Sequence, residues 1–176
     1  MVSGRTLYKF GYELLMNGME ELIRMAEERG IDVEDLIINA IKERSNDPSE
    51  PIRLRLELAK KFLAEAKEYM GKGDTAQASE KAYKAAEEVV KALAEKFNTP
   101  EYQQAVKEGR WYTYWLGSVV IRLRKTLGDW VSTGWTSAYY LHVWGFHENK
   151  ITLDEVISYI DDVERMVGEA EKVLMH

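Results

Sequence analysis

Residues 74–97 read DTAQASEKAYKAAEEVVKALAEKF, and this stretch decides the fold class. Seven of its residues recur at alternating steps of three and four, which places them on one face of an α-helix: Ala76, Ser79, Tyr83, Ala86, Val90, Leu93 and Phe97. Further alanines at 78, 82, 85 and 92 widen that face. The sequence therefore predicts a central helix that packs on two sides and begins at Asp74, a capping residue with Gln77 three positions later.

The same helical spacing continues on both sides of this stretch. It recurs over 52–70, 111–127, 129–145 and 152–174, and the runs are separated by GKGD at 71–74, NTPEY at 98–102, Gly128 and HENK at 147–150. Thr152 and Glu155 match a capping box, which predicts the start of the last helix. We therefore expect an all-α protein whose residues 52–176 form a five-helix antiparallel bundle.

The first part of the chain predicts a separate element. Residues 1–45 contain two shorter helical runs that turn at RGID, 29–32, and the polar, proline-containing segment 46–51 follows them. Glycine and proline punctuation of this kind is typical of loops and linkers. We expect an N-terminal helical pair, a linker and then the bundle.

Bulk composition narrows the functional classes. The 176 residues include no cysteine and carry a formal net charge of −6. Disulfides, thiol catalysis and thiolate metal sites are therefore excluded, and binding of nucleic acid over the whole surface is disfavoured. No apolar run approaches the roughly 20 residues that span a membrane, and the first residues do not follow the order of a secretion signal. We expect a cytoplasmic protein without membrane association.

Two of the three histidines lie in YYLHVWGFHE, residues 139–148. On a continuous α-helix, His142 and His147 differ by roughly 140° and cannot share a face. They form a catalytic or ligand site with Glu148 only if Gly145 interrupts the helix. The alternative, a bulky helix end that completes the core, is favoured, and neither a metal site nor a cofactor is predicted.

A second candidate site is aromatic. All five tryptophans fall between residues 111 and 144, beside several tyrosines. Such rings form either a core seam or a surface for a flat ligand or a protein partner. The candidates are Trp111, Trp115, Trp135, Tyr139 and Trp144, with Arg110 as a neighbouring cation.

A charged pair on the central helix is the third candidate. Glu80 and Lys84 are one turn apart, which predicts a surface ion pair that contributes only about 0.3–0.5 kcal/mol. If the helix is central, the pair becomes partly buried and is then a candidate site.

Three phrases support a resemblance to a known family: ASEKAYKAAEE at 78–88, GRW at 109–111 and LHVWGFHE at 141–148. Together with their surroundings, about 47–170, they resemble the archaeal PaREP-one family. The resemblance implies a helical bundle similar to the HEPN group, whose members often form dimers and include nucleotide-binding proteins and ribonucleases. The ribonucleases of that group place an arginine a few residues before a histidine, and neither His142 nor His147 has an arginine at that spacing.

These observations favour an interaction module over an enzyme. We expect it to form a homo-oligomer, most simply a dimer, and to bind a nucleotide or a protein partner through the aromatic residues. One alternative is an unusual RNA-binding or RNA-processing protein with His142, His147, Glu148 and Arg110 in or near its site. Another makes residues 1–45 a DNA-binding ribbon-helix-helix with the bundle as sensor, although helical phasing from Tyr8 onward opposes the strand that this needs.

Overall fold

The structure, a computed structural model, describes the backbone of residues 4–176 and the side chains of residues 15–176. Over that part of the chain it contains helices and no strand, so the all-α prediction is confirmed. The helices are α1 (Gly4–Glu27), α2 (Val33–Lys42), α3 (Glu50–Gly71), α4 (Thr75–Lys96), α5 (Pro100–Glu108), α6 (Thr113–Leu127), α7 (Trp130–Tyr140), a π-helix (Leu141–His147) and α8 (Leu153–Leu174). None of the described helices is long and apolar enough to cross a bilayer.

The chain divides into two compact units between Glu43 and Arg44. The first unit contains α1 and α2, and Asp32 caps α2 by accepting a hydrogen bond from the Asp35 amide at 2.9 Å. Residues 4–9 belong to α1 and are helical. They do not form the strand that the ribbon-helix-helix alternative requires, so that alternative is wrong for these residues. Residues 1–3 lie outside the described part of the chain.

Helix α4 lies at the centre of the second unit. It contacts every other helix of that unit, and it packs most extensively on α3, to which the GKGD turn joins it as a helical hairpin. Ala82, Ala85, Ala86 and Ala92 are completely buried. Alanine allows close approach of neighbouring helices at more than one face, which explains why a single helix is surrounded on several sides.

Buried charges lie within the bundle core. The Arg55 guanidinium is 2.7 Å from a Glu88 carboxylate oxygen, and the Lys91 ammonium lies 3.4 Å from Glu88 and 3.1 Å from Glu87. The side chains of Arg55, Glu88 and Lys91 are nearly inaccessible to solvent. Charges buried to this degree persist in proteins only when they are paired and hydrogen-bonded.

One helix of the bundle was missed by the sequence pattern. NTPEY predicts a break, but Pro100 begins α5 at the first helical position, where its missing N–H costs nothing. Thr99 caps this helix by accepting a hydrogen bond from the Tyr102 amide. The described second unit consequently contains six α-helices, and α6 starts at Thr113 instead of residue 111.

Gly145 does not end the fourth predicted helix. It lies within the π-helix, which continues directly from α7 and closes on α4. A Cβ atom at Gly145 would lie 2.1 Å from the Ser79 hydroxyl and 2.6 Å from the Ser79 Cβ. Glycine is therefore needed here so that two helices can approach closely, and Gly145 lies within a helical segment.

Candidate functional site

Three hydrogen-bonded polar side chains, which we name the Glu80–His142–His147 chain, join α4 to the π-helix. The Nδ1 atom of His142 is 2.9 Å from a carboxylate oxygen of Glu80, and its Nε2 atom is 3.1 Å from the Nε2 atom of His147. Glu80 and His142 are partly buried, whereas His147 is exposed. The Glu80–His142–His147 chain therefore runs from the helix interface to the protein surface.

The carboxylate determines the tautomer of the first imidazole. Because an ionised Glu80 carboxylate can only accept hydrogen bonds, the facing Nδ1 atom of His142 carries a hydrogen, and this Nδ1–H group donates the hydrogen bond. In a neutral His142 the Nε2 atom then accepts, and the Nε2–H group of His147 donates. A carboxylate that orients an imidazole in this way is a frequent arrangement in both general-base and metal sites.

The π-helix brings the two histidines together. In an α-helix their five-residue spacing separates them, but the wider π turn joins residues five apart and places both imidazoles on one side. The rings meet edge to face with centroids 4.4 Å apart. The prediction that these histidines cannot share a face is wrong because it assumed α-helical geometry.

Aromatic rings line the buried side of this chain. Tyr83 stacks on His142 with ring centroids 4.1 Å apart, and it also contacts Trp135 at 5.8 Å. The ring centroids of Trp135 and Tyr139 are 6.5 Å apart. Those of Phe146 and His147 are 5.0 Å apart. The rings form a row that fixes the His142 plane and leaves Tyr139 exposed at one end.

Burial raises the pKa of the Tyr83 hydroxyl well above its usual range, and the nearby Glu87 carboxylate raises it further. A hydrogen bond with Thr113 acts in the opposite direction. Tyr83 therefore stays neutral under physiological conditions and serves as a flat packing surface with one hydrogen-bonding end.

The remaining predicted site residues form other groups. The Arg110 guanidinium lies 4.3 Å above the Tyr112 ring, which meets Trp115 edge to face at 4.6 Å. Trp111 is half-buried against the core. Trp144, by contrast, is exposed beside Tyr140.

Glu148 and Lys84 each have a further contact. Glu148 pairs with the Lys150 ammonium at 3.1 Å, and the Lys84 ammonium lies 5.6 Å from the centre of the Phe62 ring. Within residues 15–176, no group of three or more histidine and carboxylate side chains is placed to hold a metal ion.

A groove between α6 and α7 was missed by the sequence pattern. It has a volume of about 840 Å³. Tyr114, Gly117, Ile121 and Trp135 contribute to its lining, and Glu101 of α5 lies at its edge. Tyr114 and Ile121 are seven residues apart, so the helical period places both on one outward face of α6, which is the sequence signal for this groove.

The sequence profile of the archaeal PaREP1/PaREP8 family matches residues 54–167. The chain belongs to this family. A crystal structure of a protein from Sulfolobus solfataricus is similar to the chain, with 40% sequence identity and a TM-score of 0.61. The match covers 66% of this chain and 95% of the Sulfolobus chain. No curated protein gives a significant match.

The matched region contains all three members of the Glu80–His142–His147 chain and the α6–α7 groove. It begins within α3 and ends within α8, so the PaREP1/PaREP8 match lies inside the second unit. The N-terminal unit lies outside it.

Proposed function

We propose that this PaREP1/PaREP8 chain is a HEPN-like interaction module that self-associates as a dimer through the face formed by α6 and α7. One observation carries the proposal: two large apolar side chains that line the groove are mostly exposed. Tyr114 is 67% exposed and Ile121 is 61% exposed. Contiguous apolar surface beside a groove is typical of interfaces, and aromatic residues are enriched at their centres.

The charges around the groove favour a second copy as the partner. Arg122 pairs with Glu101 at 3.0 Å, and Lys125 lies on the same rim. The rim therefore carries both signs, although the whole chain has a net charge of −6. In an interface with two-fold symmetry, each side presents the same patch, so a rim of mixed sign pairs with itself. Two copies approach here with less repulsion than a uniformly acidic surface would produce.

Gly117 adds a steric reason for the same assignment. It lies on the groove side of α6, where a Cβ atom would meet only the Trp135 indole nitrogen, at 3.9 Å. The absence of a side chain leaves a shallow depression between Tyr114 and Ile121. A side chain of a second copy, such as Tyr114, fits such a depression.

Sedimentation velocity tests the proposal with a matched pair of variants. Ile121→Glu places a charge in the α6–α7 face, while Val106→Glu places one at an apolar residue of α5 that is 62% exposed. We expect the native chain and Val106→Glu to sediment as dimers and Ile121→Glu to sediment as a monomer. A native chain that stays monomeric at every concentration, or an Ile121→Glu variant that remains dimeric, contradicts the proposal.

A role in RNA processing is a second candidate. The Glu80–His142–His147 chain favours it, because a carboxylate-oriented imidazole is suited to accept a proton from a ribose hydroxyl. We expect cleavage of single-stranded RNA by the native chain and its loss in His142→Ala. RNA that remains intact with the native protein excludes this candidate.

A further inference from the structure

We infer that His142 and His147 together bind a divalent late first-row transition metal ion, of the Zn²⁺ or Cu²⁺ class, through their two Nε2 atoms. The site is independent of the α6–α7 face. It rests on the distance between the two imidazole nitrogens, on the carboxylate behind one of them and on the helix geometry that holds both.

The distance between the nitrogens fits two ligands of one ion. A zinc–imidazole bond is about 2.0–2.1 Å long, so two such ligands have their nitrogens about 2.9 Å apart at a right angle and about 3.4 Å apart in a tetrahedron. The Nε2 atoms of His142 and His147 are 3.1 Å apart, within that range. An ion with such bonds lies to one side of the line that joins the two nitrogens, so both rings turn toward it while the nitrogens keep about their present separation.

Glu80 supplies the support that metal-binding imidazoles usually have. It accepts the Nδ1–H hydrogen bond of His142 at 2.9 Å, which leaves the Nε2 lone pair of a neutral His142 directed toward His147. Carboxylate–histidine–metal chains of this kind orient the ring and increase its basicity. For a neutral His147, binding requires only that its proton moves from Nε2 to Nδ1, so the exchange of tautomers releases no net proton.

The surrounding structure restricts the two imidazoles before any ion arrives. Tyr83 stacks on His142 at 4.1 Å, and the contact of Gly145 with Ser79 holds the π-helix against α4. A histidine pair whose geometry is already set loses less conformational freedom on binding than two free side chains. The π turn, which brings residues five apart together, is the feature that creates the pair.

The site is open on its solvent side. Within residues 15–176 no third histidine or carboxylate completes it, and His147 is exposed. Water or small anionic ligands fill the two remaining positions of a four-coordinate ion, one more open position than catalytic zinc sites have with their three protein ligands. Imidazole suits Zn²⁺ and Cu²⁺, with tighter binding of Cu²⁺, and it does not suit Mg²⁺.

Isothermal titration calorimetry of the untagged full chain tests the inference. We expect one Zn²⁺ per chain, tighter binding of Cu²⁺ and no heat from Mg²⁺. His147→Ala, an exposed position, should abolish the binding while leaving the circular dichroism spectrum unchanged. The control is His176→Ala, which removes the third histidine, also exposed, and should bind Zn²⁺ like the native chain.

Glu80→Gln tests the supporting carboxylate. Glutamine retains an oxygen that accepts the Nδ1–H bond but removes the charge, and loss of such a partner weakens metal binding by about 10–100-fold. The inference is overturned if the native chain binds no Zn²⁺, if His147→Ala binds as well as native, or if His176→Ala removes the binding. Unchanged affinity in Glu80→Gln overturns the role assigned to Glu80.

Discussion

Helices α1 and α4 have similar lengths and the same helical spacing of apolar residues, yet their side chains have opposite environments. The apolar side chains of α4 are almost all buried, and Leu93 is completely inaccessible to solvent. Of the described side chains of α1, Leu15 and Leu22 remain 65% and 60% exposed. The apolar residues Leu36 and Ile37 of α2 are also exposed.

The difference shows what helical periodicity does and does not predict. Periodicity determines which side chains share a face, because it follows from the rotation of each residue about the helix axis. Burial of that face needs a second surface, and α4 obtains several through its alanines. An apolar stripe such as that of α1 is therefore evidence for a helix and not for a core.

The buried charges of the bundle provide the largest expected effect. Glu88→Ala removes a carboxylate that contacts both Arg55 and Lys91. Breaking a buried ion pair from one side typically costs about 3–5 kcal/mol, because the remaining charges stay desolvated. We expect a loss of that size in the free energy of unfolding, measured by urea denaturation.

The control for this prediction is Glu57→Ala. Glu57 also pairs with a lysine, Lys60 at 3.3 Å, but its side chain is 69% exposed. Exposed pairs contribute at most about 1 kcal/mol. Equal losses in Glu57→Ala and Glu88→Ala would contradict the assignment of the Glu88 network to the core.

The same comparison applies to leucines of the two units. Leu93→Ala removes a completely buried side chain of α4, and core substitutions of this kind cost about 2–5 kcal/mol. Leu22→Ala changes an exposed residue of α1, for which a change within about 0.5 kcal/mol is expected. Urea denaturation of both variants measures the contrast, and a large loss in Leu22→Ala would show that the α1 stripe is covered in solution.

Two glycines test close packing inside the bundle. A Cβ atom at Gly134 of α7 would lie 2.5 Å from the Cβ of Met166, whereas one at Gly168 of α8 meets nothing within 4 Å. We expect Gly134→Ala to cost about 1–3 kcal/mol through overpacking. Gly168→Ala should instead stabilise by about 0.5–1 kcal/mol, since alanine is the better helix former. Thermal unfolding distinguishes the two signs.

Local signals predicted the parts of the fold that depend on neighbouring residues. Asp74 accepts a hydrogen bond from the Gln77 amide, and Thr152 and Glu155 form the expected capping box. NTPEY predicts only a break, although proline is equally favourable at a helix start. The pattern of residues 98–102 therefore does not predict α5.

The histidine chain was not accessible from sequence because its cause is tertiary. Nothing in LHVWGFH distinguishes a π turn from an α turn. The close approach of Gly145 to Ser79, 66 positions earlier in the chain, accompanies the wider turn. The two histidines were therefore identified as candidates, but their contact and the role of Glu80 required the packed structure.

Tyr83 gives the bundle a response to alkaline pH. Burial raises the pKa of its hydroxyl above the unfolded value near 10, so the stabilisation is fully present below about pH 10 and is lost as the pH rises toward the folded pKa. At one pH unit above the unfolded value the loss is about 1.4 kcal/mol. Urea denaturation at pH 9 and pH 11 should show this extra loss in the native chain relative to Tyr83→Phe, and an identical pH dependence of the two proteins would contradict it.

Removal of the N-terminal unit is expected to have the smallest effect. The match to the Sulfolobus protein takes in 95% of that chain but only 66% of this one, so a related bundle exists with no counterpart to about a third of this chain. The family match also lies wholly within the second unit. We therefore propose that residues 44–176 fold independently, with a free energy of unfolding within about 0.5 kcal/mol of that of the same unit in the full chain, as small as the effect of a surface substitution. Urea denaturation of the two chains measures the difference. A shortened chain that loses several kcal/mol would contradict the independent folding of residues 44–176.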